Sequence, residues 1–185
     1  MALLTWIVVG IITLIIIIFI YYYNKFVIQG NRIDNSLAQI DVQLKRRVEL
    51  IPNLIETVKG YTKHEKKIMT EVTNARKALL AAKTLPARIK ADNQLESALK
   101  SIFAIAENYP QLRANENFLE LQRELSSTED KIAYSRQYYN DTILDFNNSI
   151  KTFPGTLFAK LYRVKERPFI EIPDIQRKPV KVKFD

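Results

Sequence analysis

The stretch Met1 to Tyr23 carries no charged side chain, and only Thr5, Gly10 and Thr13 within it fall outside the apolar and aromatic set. Leu3 to Tyr23 as a helix spans roughly 31 Å at ~1.5 Å per residue, which matches the ~30 Å hydrocarbon thickness of a bilayer. A cleavable signal peptide needs a basic start and a small-residue cleavage site. Here no Lys or Arg precedes the apolar run, which passes straight into Tyr21, Tyr22 and Tyr23. Residues 1–23 are therefore expected to be a retained transmembrane anchor. Leu3, Ile7, Leu14, Ile17 and Phe19 face lipid, and Trp6, Tyr21, Tyr22 and Tyr23 bracket the span as interfacial aromatics do. Membrane lipids are thus the first expected partner.

All 28 Lys/Arg and all 20 Asp/Glu lie beyond this run, so the net charge of +8 belongs to the rest of the chain. Lys25 and Arg32, then Lys45, Arg46 and Arg47, follow the span. The positive-inside bias predicts a single-pass membrane protein, with the N-terminus outside and the following domain cytoplasmic. The absence of cysteine excludes a disulfide scaffold, a thiol enzyme and cysteine-based metal or iron–sulfur sites. A single histidine leaves no multi-imidazole zinc site. Four glycines argue against a glycine-rich phosphate loop.

From Ile33 the apolar residues Leu37, Ile40, Leu44, Val48, Ile51, Ile55 and Val58 recur at spacings of three and four, the stripe of an amphipathic helix. The anchor is expected to run on into this helix, with a kink or short interruption at Pro52. Further stripes follow. Tyr61, Ile68, Val72, Ala75, Leu79 and Ala82 give a second helix, with Pro86 in the next connection, and Leu95 to Tyr109 gives a third that ends at Pro110. Phe118 to Phe153 gives a long fourth, stopped by Pro154-Gly155. The fold class predicted is all-α: a single N-terminal transmembrane helix, then a long-helix antiparallel bundle over residues 24–156, then a basic, proline-containing tail over residues 157–185. Two readings of the tail stay open, an extended arm anchored by Leu157, Phe158, Leu161 and Tyr162, or a disordered basic segment. On a membrane-anchored chain its nearest polyanion is lipid headgroups rather than nucleic acid.

The run Gln39-Ile40-Asp41-Val42-Gln43-Leu44-Lys45-Arg46-Arg47, with Leu50 to Tyr61 and His64-Glu65 after it, resembles the signature block of the LemA family. Ala75-Arg76 follows in order. Tyr109-Pro110 with Leu112, Ala114-Asn115 and Asn117-Phe118 resembles the family's YPxLxANxNF segment. Leu121-Gln122, Glu124-Leu125 and Thr128-Glu129 resemble LQxELxxTE, and Tyr139-Asn140, Phe146-Asn147 and Phe153-Pro154 resemble its YN…YN…FP ending. Leu37 stands where the family usually has Trp, and the long tail departs from its short ending. The resemblance implies an anchored helical bundle and no known activity. One branch of the family is associated with building internal membranes in magnetic bacteria.

No residue pattern combines a nucleophile with a base. His64-Glu65 starts like a zincin motif, but position 68 is Ile, so the second histidine is missing. Carboxylate pairs such as Asp41/Glu49 and Glu116/Glu120 read as helix-surface ion pairing. Tyr138-Tyr139-Asn140 reads as core and rim packing. No cofactor or metal is expected, and catalytic residues are expected to be absent. The patch singled out is Asp41, Lys45, Arg46 and Arg47, with Asp41 and Lys45 spaced as an i,i+4 pair. It reads either as a surface salt-bridge network or as an inter-subunit or inter-helix polar lock, and a homo-oligomer held mainly by the helix from Ile33 to Val58, with these four side chains adding cross-subunit polar contacts, is expected. The function expected is a non-catalytic membrane scaffold that self-associates and organises the membrane or recruits partners. The alternative is an adaptor or regulatory subunit of a membrane protease or transporter. A cryptic enzyme resting on His64-Glu65 is the third reading.

Overall fold

Helices account for every regular element among the described residues. The computed structural model describes residues 1–62 and 65–170. It contains α1 (Ala2–Lys59), α2 (Lys66–Ala81), α3 (Leu85–Ala106), α4 (Pro110–Arg113), α5 (Glu116–Lys151) and α6 (Gly155–Leu161). The chain divides into two compact units, Met1–Ser36 with Arg136–Asp185 and Leu37–Ser135.

The apolar start and the first amphipathic stripe form one helix, α1, of 58 residues. Its most apolar window has a mean hydropathy of 3.1, and none of that window is buried inside the protein. The helix is long and apolar enough to cross a membrane. Pro52 lies inside α1 without ending it. A proline cannot donate to the carbonyl four residues earlier. That carbonyl, Val48 O, instead accepts a hydrogen bond from Arg76 Nε of α2 at 3.0 Å. The neighbouring helix thus replaces the donor that Pro52 removes.

Within the unit Leu37–Ser135, the core is built from Ile40, Leu44, Val48, Ile51, Leu54 and Val58 of α1, Val72 and Leu79 of α2, Leu95, Leu99 and Ile102 of α3, and Phe118, Leu125 and Ile132 of α5. The three-residue connection after α2 makes α2 and α3 antiparallel neighbours. Two proline expectations are corrected here. Pro86 sits in the first turn of α3, where its missing N–H costs nothing, and Thr84 caps that end by accepting from Ala87 N. Pro110 likewise opens the short helix α4 rather than merely closing the helix before it. Asn115 caps α5, its Oδ1 accepting from Phe118 N at 2.9 Å.

In the unit Met1–Ser36 with Arg136–Asp185, Phe26 and Ile33 of α1 and Tyr139, Ile143, Phe146 and Ile150 of α5 are buried. After Pro154, the expected extended arm begins as a helix instead, because Gly155 lets α6 approach the end of α5. A Cβ on Gly155 would lie 2.0 Å from Ser149 O. Arg163 ends α6 in the left-handed region at φ 56°, and Val164 N reaches back to Ala159 O at 2.9 Å, the long-range bond of a Schellman stop. The chain then has no regular element from Val164 to Ile170. His64 and residues 171–185 of the tail lie outside the described residues.

Candidate functional site

The charged block of α1 is engaged within its own chain. Arg47 is 1% exposed, at a position in phase with Leu44 and Ile51 on the apolar stripe. Its Nη1 donates to Asp92 Oδ1 of α3 at 2.8 Å, and its Nη2 to Glu129 Oε2 of α5 at 3.3 Å. Asp92 is itself 1% exposed. Isolated charges this deep would be driven out or neutralised, so the pair is stable in the core only as a pair. Arg46 Nη2 donates to Glu124 Oε2 of α5 at 2.7 Å, and Arg88 Nη1 of α3 to Asp41 Oδ1 at 2.5 Å.

These contacts run between helices, one of the two forms expected of the polar lock, and only the expected partner of Asp41 is corrected. Asp41 does not pair with Lys45 one turn on but with Arg88 on another helix. Lys45 points to Glu49 at 3.9 Å and stays exposed. Arg47 is enclosed by Asp92 and Glu129. Arg46, Arg47 and Asp41 join α1 to α3 and α5 of the same chain.

Around Arg47 the charges continue outward. Lys100 Nζ donates to Glu96 Oε1 at 2.5 Å, and that hydrogen bond, followed by Coulomb attraction, raises the lysine above its usual range. Burial pushes the Glu129 carboxyl up, and repulsion from Glu96 adds to it against the pull of Arg47 and Lys100. The motif segments seen in the sequence meet in this unit. Glu124 and Glu129 of the LQxELxxTE-like segment pair with Arg46 and Arg47 of the first block. Tyr109 Oη donates to Glu65 Oε1 at 2.9 Å, and Asn115 Nδ2 to the Tyr61 hydroxyl at 3.0 Å. The bond to Glu65 holds the Tyr109 phenol above its ordinary range. Among the described residues, no group of three or more Asp, Glu, His or Cys is placed to hold a metal ion.

The other unit carries a different device, unforeseen in the sequence. Asn140 and Asn147, seven apart on α5, each grip the backbone of the segment after α6. Asn147 Nδ2 donates to Arg167 O at 2.9 Å while its Oδ1 accepts from Arg167 N at 3.0 Å. Asn140 does the same to Ile170, at 3.0 and 2.8 Å. Seven helical residues rise ~10.5 Å, and three extended residues ~10 Å, so the two side-chain amides match the repeat of an extended chain. The clip thereby gives a segment without strand neighbours among the described residues the paired hydrogen bonds a strand would supply. Tyr139, beside Asn140, is 6% exposed, and burial raises its phenol despite nearby Arg167.

The anchor residues named in the sequence lie along the exposed part of α1. Leu3, Trp6, Ile7, Leu14, Ile17, Phe19, Tyr21 and Tyr23 are exposed. Tyr22 and Phe19 meet α6: the Tyr22 and Phe158 rings stack at 4.5 Å, Phe19 meets Phe158 edge-on at 5.1 Å, and Tyr162 Oη donates to Phe19 O at 3.0 Å. Of the expected tail anchors, Phe158 and Tyr162 pack on α1, whereas Leu157 and Leu161 do not and remain exposed. Asp92, Glu129, Asn140 and Asn147 were not singled out as site residues. For the charged ones, the available signal was phase: Asp92 falls three residues before Leu95 on the apolar stripe of α3.

The model of the LemA family matches residues 36–184. Protein LemA of Metamycoplasma hominis is 27% identical, over 90% of this chain and 78% of its own length. Magnetosome protein MamQ of Magnetospirillum gryphiswaldense is 23% identical over 75% of this chain and 61% of its own length. Magnetosome protein MamQ 1 of Paramagnetospirillum magneticum is 22% identical over 80% of this chain and 64% of its own length. The chain thus spans less than two thirds of these two MamQ proteins.

Proposed function

The chain belongs to the LemA family, and from that premise we propose that it is a non-catalytic scaffold anchored in the bacterial cell membrane, self-associating and organising the bilayer or recruiting partners to it. The observation that carries this reading is α1: a single helix whose first part is apolar and unburied and whose later part holds the charged joints of a bundle. Chemistry has no obvious seat, because the charged residues that sequence motifs bring together are committed to one another. The likeness to magnetosome proteins favours work on a membrane over work on a soluble substrate.

The orientation that fits is N-terminus outside and bundle cytoplasmic, since Lys25 and Arg32 follow the span. A reporter fused after Asp185 should read cytoplasmic, and reporter activity on the outer side would reverse this assignment. The native mass of detergent-extracted protein tests the scaffold itself. Multiples of one chain are expected. A fixed complex with a different membrane protein would favour an adaptor role, and a strict monomer would remove self-association.

A further inference from the structure

Helix α6 has a second apolar face that the described residues leave uncovered. One side of it, Phe158 and Tyr162, packs on Phe19, Tyr22, Tyr23 and Phe26 of α1. About 100° further round a helix of ~3.6 residues per turn, Leu157 and Leu161 are each 56% exposed, and Phe153 just before the helix is 80% exposed. Lys160, Arg163 and Lys165 are exposed beside them. The helix is held in this place: Gly155 is pressed against Ser149 O, and Tyr162 Oη is bonded to the Phe19 carbonyl. Phe19 lies about 6 Å, four helical rises, inside the Tyr23 end of the apolar span.

We propose that α6 is a second membrane contact, lying in the surface of the same bilayer that α1 crosses. Leu157 and Leu161 enter the boundary between headgroups and acyl chains, and Lys160, Arg163 and Lys165 lie among anionic headgroups. This rests on the reading of α1 as a membrane span. The occupant follows from continuity. A helix bonded to the backbone of a span residue sits at the depth, ~5–10 Å, to which interfacial helices bury their apolar face. An uncovered Leu157/Leu161 stripe at that depth meets lipid, and basic residues at its border match an anionic surface. The aromatic stack between α1 and α6 then fixes how deep the stripe sits.

The chain has no cysteine, so single substitutions can each carry one environment-sensitive fluorophore. Full-length Leu157→Cys, Leu161→Cys and Ile12→Cys are labelled and reconstituted in vesicles of phosphatidylcholine and phosphatidylglycerol. Quenchers are attached to the lipids either near the headgroup or at the acyl terminus. Labels at 157 and 161 should be quenched several-fold more by the shallow quencher than the same fluorophore on a soluble thiol, and more by the shallow than by the deep one. The label at 12 should prefer the deep quencher. Adding Lys160→Glu and Arg163→Glu should cut the shallow quenching at 157 by more than half. Water-like labels at 157 and 161, with position 12 still deep, would overturn the inference while leaving the span intact. A water-like label at 12 would overturn both. Disulfide formation between unlabelled Leu157→Cys chains under an added thiol oxidant, with no lipid quenching of the labelled ones, would assign the face to a second copy and overturn the lipid contact. Quenching indifferent to the two charge reversals would remove the anionic part of the proposal.

Discussion

The two units of the molecule fasten their elements with different polar groups. The bundle unit uses full charges: Arg47 and Asp92 are almost completely enclosed, with Glu129 completing the joint at its edge. The unit holding the apolar stretch uses neutral groups, the amides of Asn140 and Asn147 and the stacked rings of Tyr22 and Phe158. Among the described residues, Lys151 and Glu166 pair there at 2.8 Å, exposed on both sides. A buried ion pair is close to all-or-none, because removing one partner strands the other charge. An amide clip is made of bonds that are individually modest and can open one at a time. The bundle is therefore built to keep three helices in one arrangement, and the clip to hold a segment that opens locally.

Breaking the charged joint should have the largest effect. Asp92→Ala leaves Arg47 buried with only the longer contact to Glu129, and a loss of ~3–5 kcal/mol is expected in denaturant unfolding of the full chain. Adding Arg47→Met removes the stranded charge, so the double variant should lose clearly less than the two single losses combined. Additive losses would mean that the two side chains do not act as a pair. A smaller effect is expected at the proline. Arg76→Leu strands the Val48 carbonyl and should cost about 1–3 kcal/mol. In a Pro52→Ala background, where a backbone N–H is available again, the same change should cost much less.

Asn147→Ala removes two neutral hydrogen bonds of roughly 0.5–1.5 kcal/mol each. Hydrogen exchange at the Arg167 amide should speed up accordingly, while the bundle amides keep their protection. No local acceleration at Arg167, with a fall in global stability instead, would show that the clip is part of the core. The smallest effect is expected at Glu129. Its folded-state pKa is raised, so the folded chain holds this proton more tightly than the unfolded one. The stabilisation tied to it is full below the ordinary carboxylate range and is lost as pH rises through the raised value. Glu129→Gln should change stability at neutral pH by less than about 1 kcal/mol and flatten that acid-side dependence. A variant whose stability follows pH as the wild type's does would rule this out.

How much of this could be read from the sequence depends on the range of the interaction. Three-and-four spacing located the helices because each stripe packs as a unit, and α1, α3 and α5 follow it. Prolines were harder. Pro86 and Pro110 were read as breaks, yet each stands where a helix starts and its missing donor is harmless. Pro52 sits mid-helix because Arg76, 24 positions further along the sequence, supplies the lost bond. Asp41 was matched to Lys45 because a local rule offers only local partners, whereas Arg88 arrives from another helix. Helix α6 was hidden behind Pro154-Gly155, a pair that reads as a stop. Only the closeness of Gly155 to Ser149 O reveals it as a joint. The repeat of Asn140 and Asn147 was visible, but their partner is plain backbone, which has no sequence signature.

The central claim is that the Arg47–Asp92 pair of the charged block joins this chain's own helices rather than two subunits. The direct measurement is the native mass of detergent-extracted full-length protein carrying Arg47→Met with Asp92→Leu, beside the wild type, with helix content checked by circular dichroism. Apolar side chains of similar volume can replace a buried ion pair without loss of fold. The account predicts the same helix content and the same oligomeric mass for both proteins. A variant with unchanged helix content that falls apart into monomers while the wild type stays assembled would contradict it.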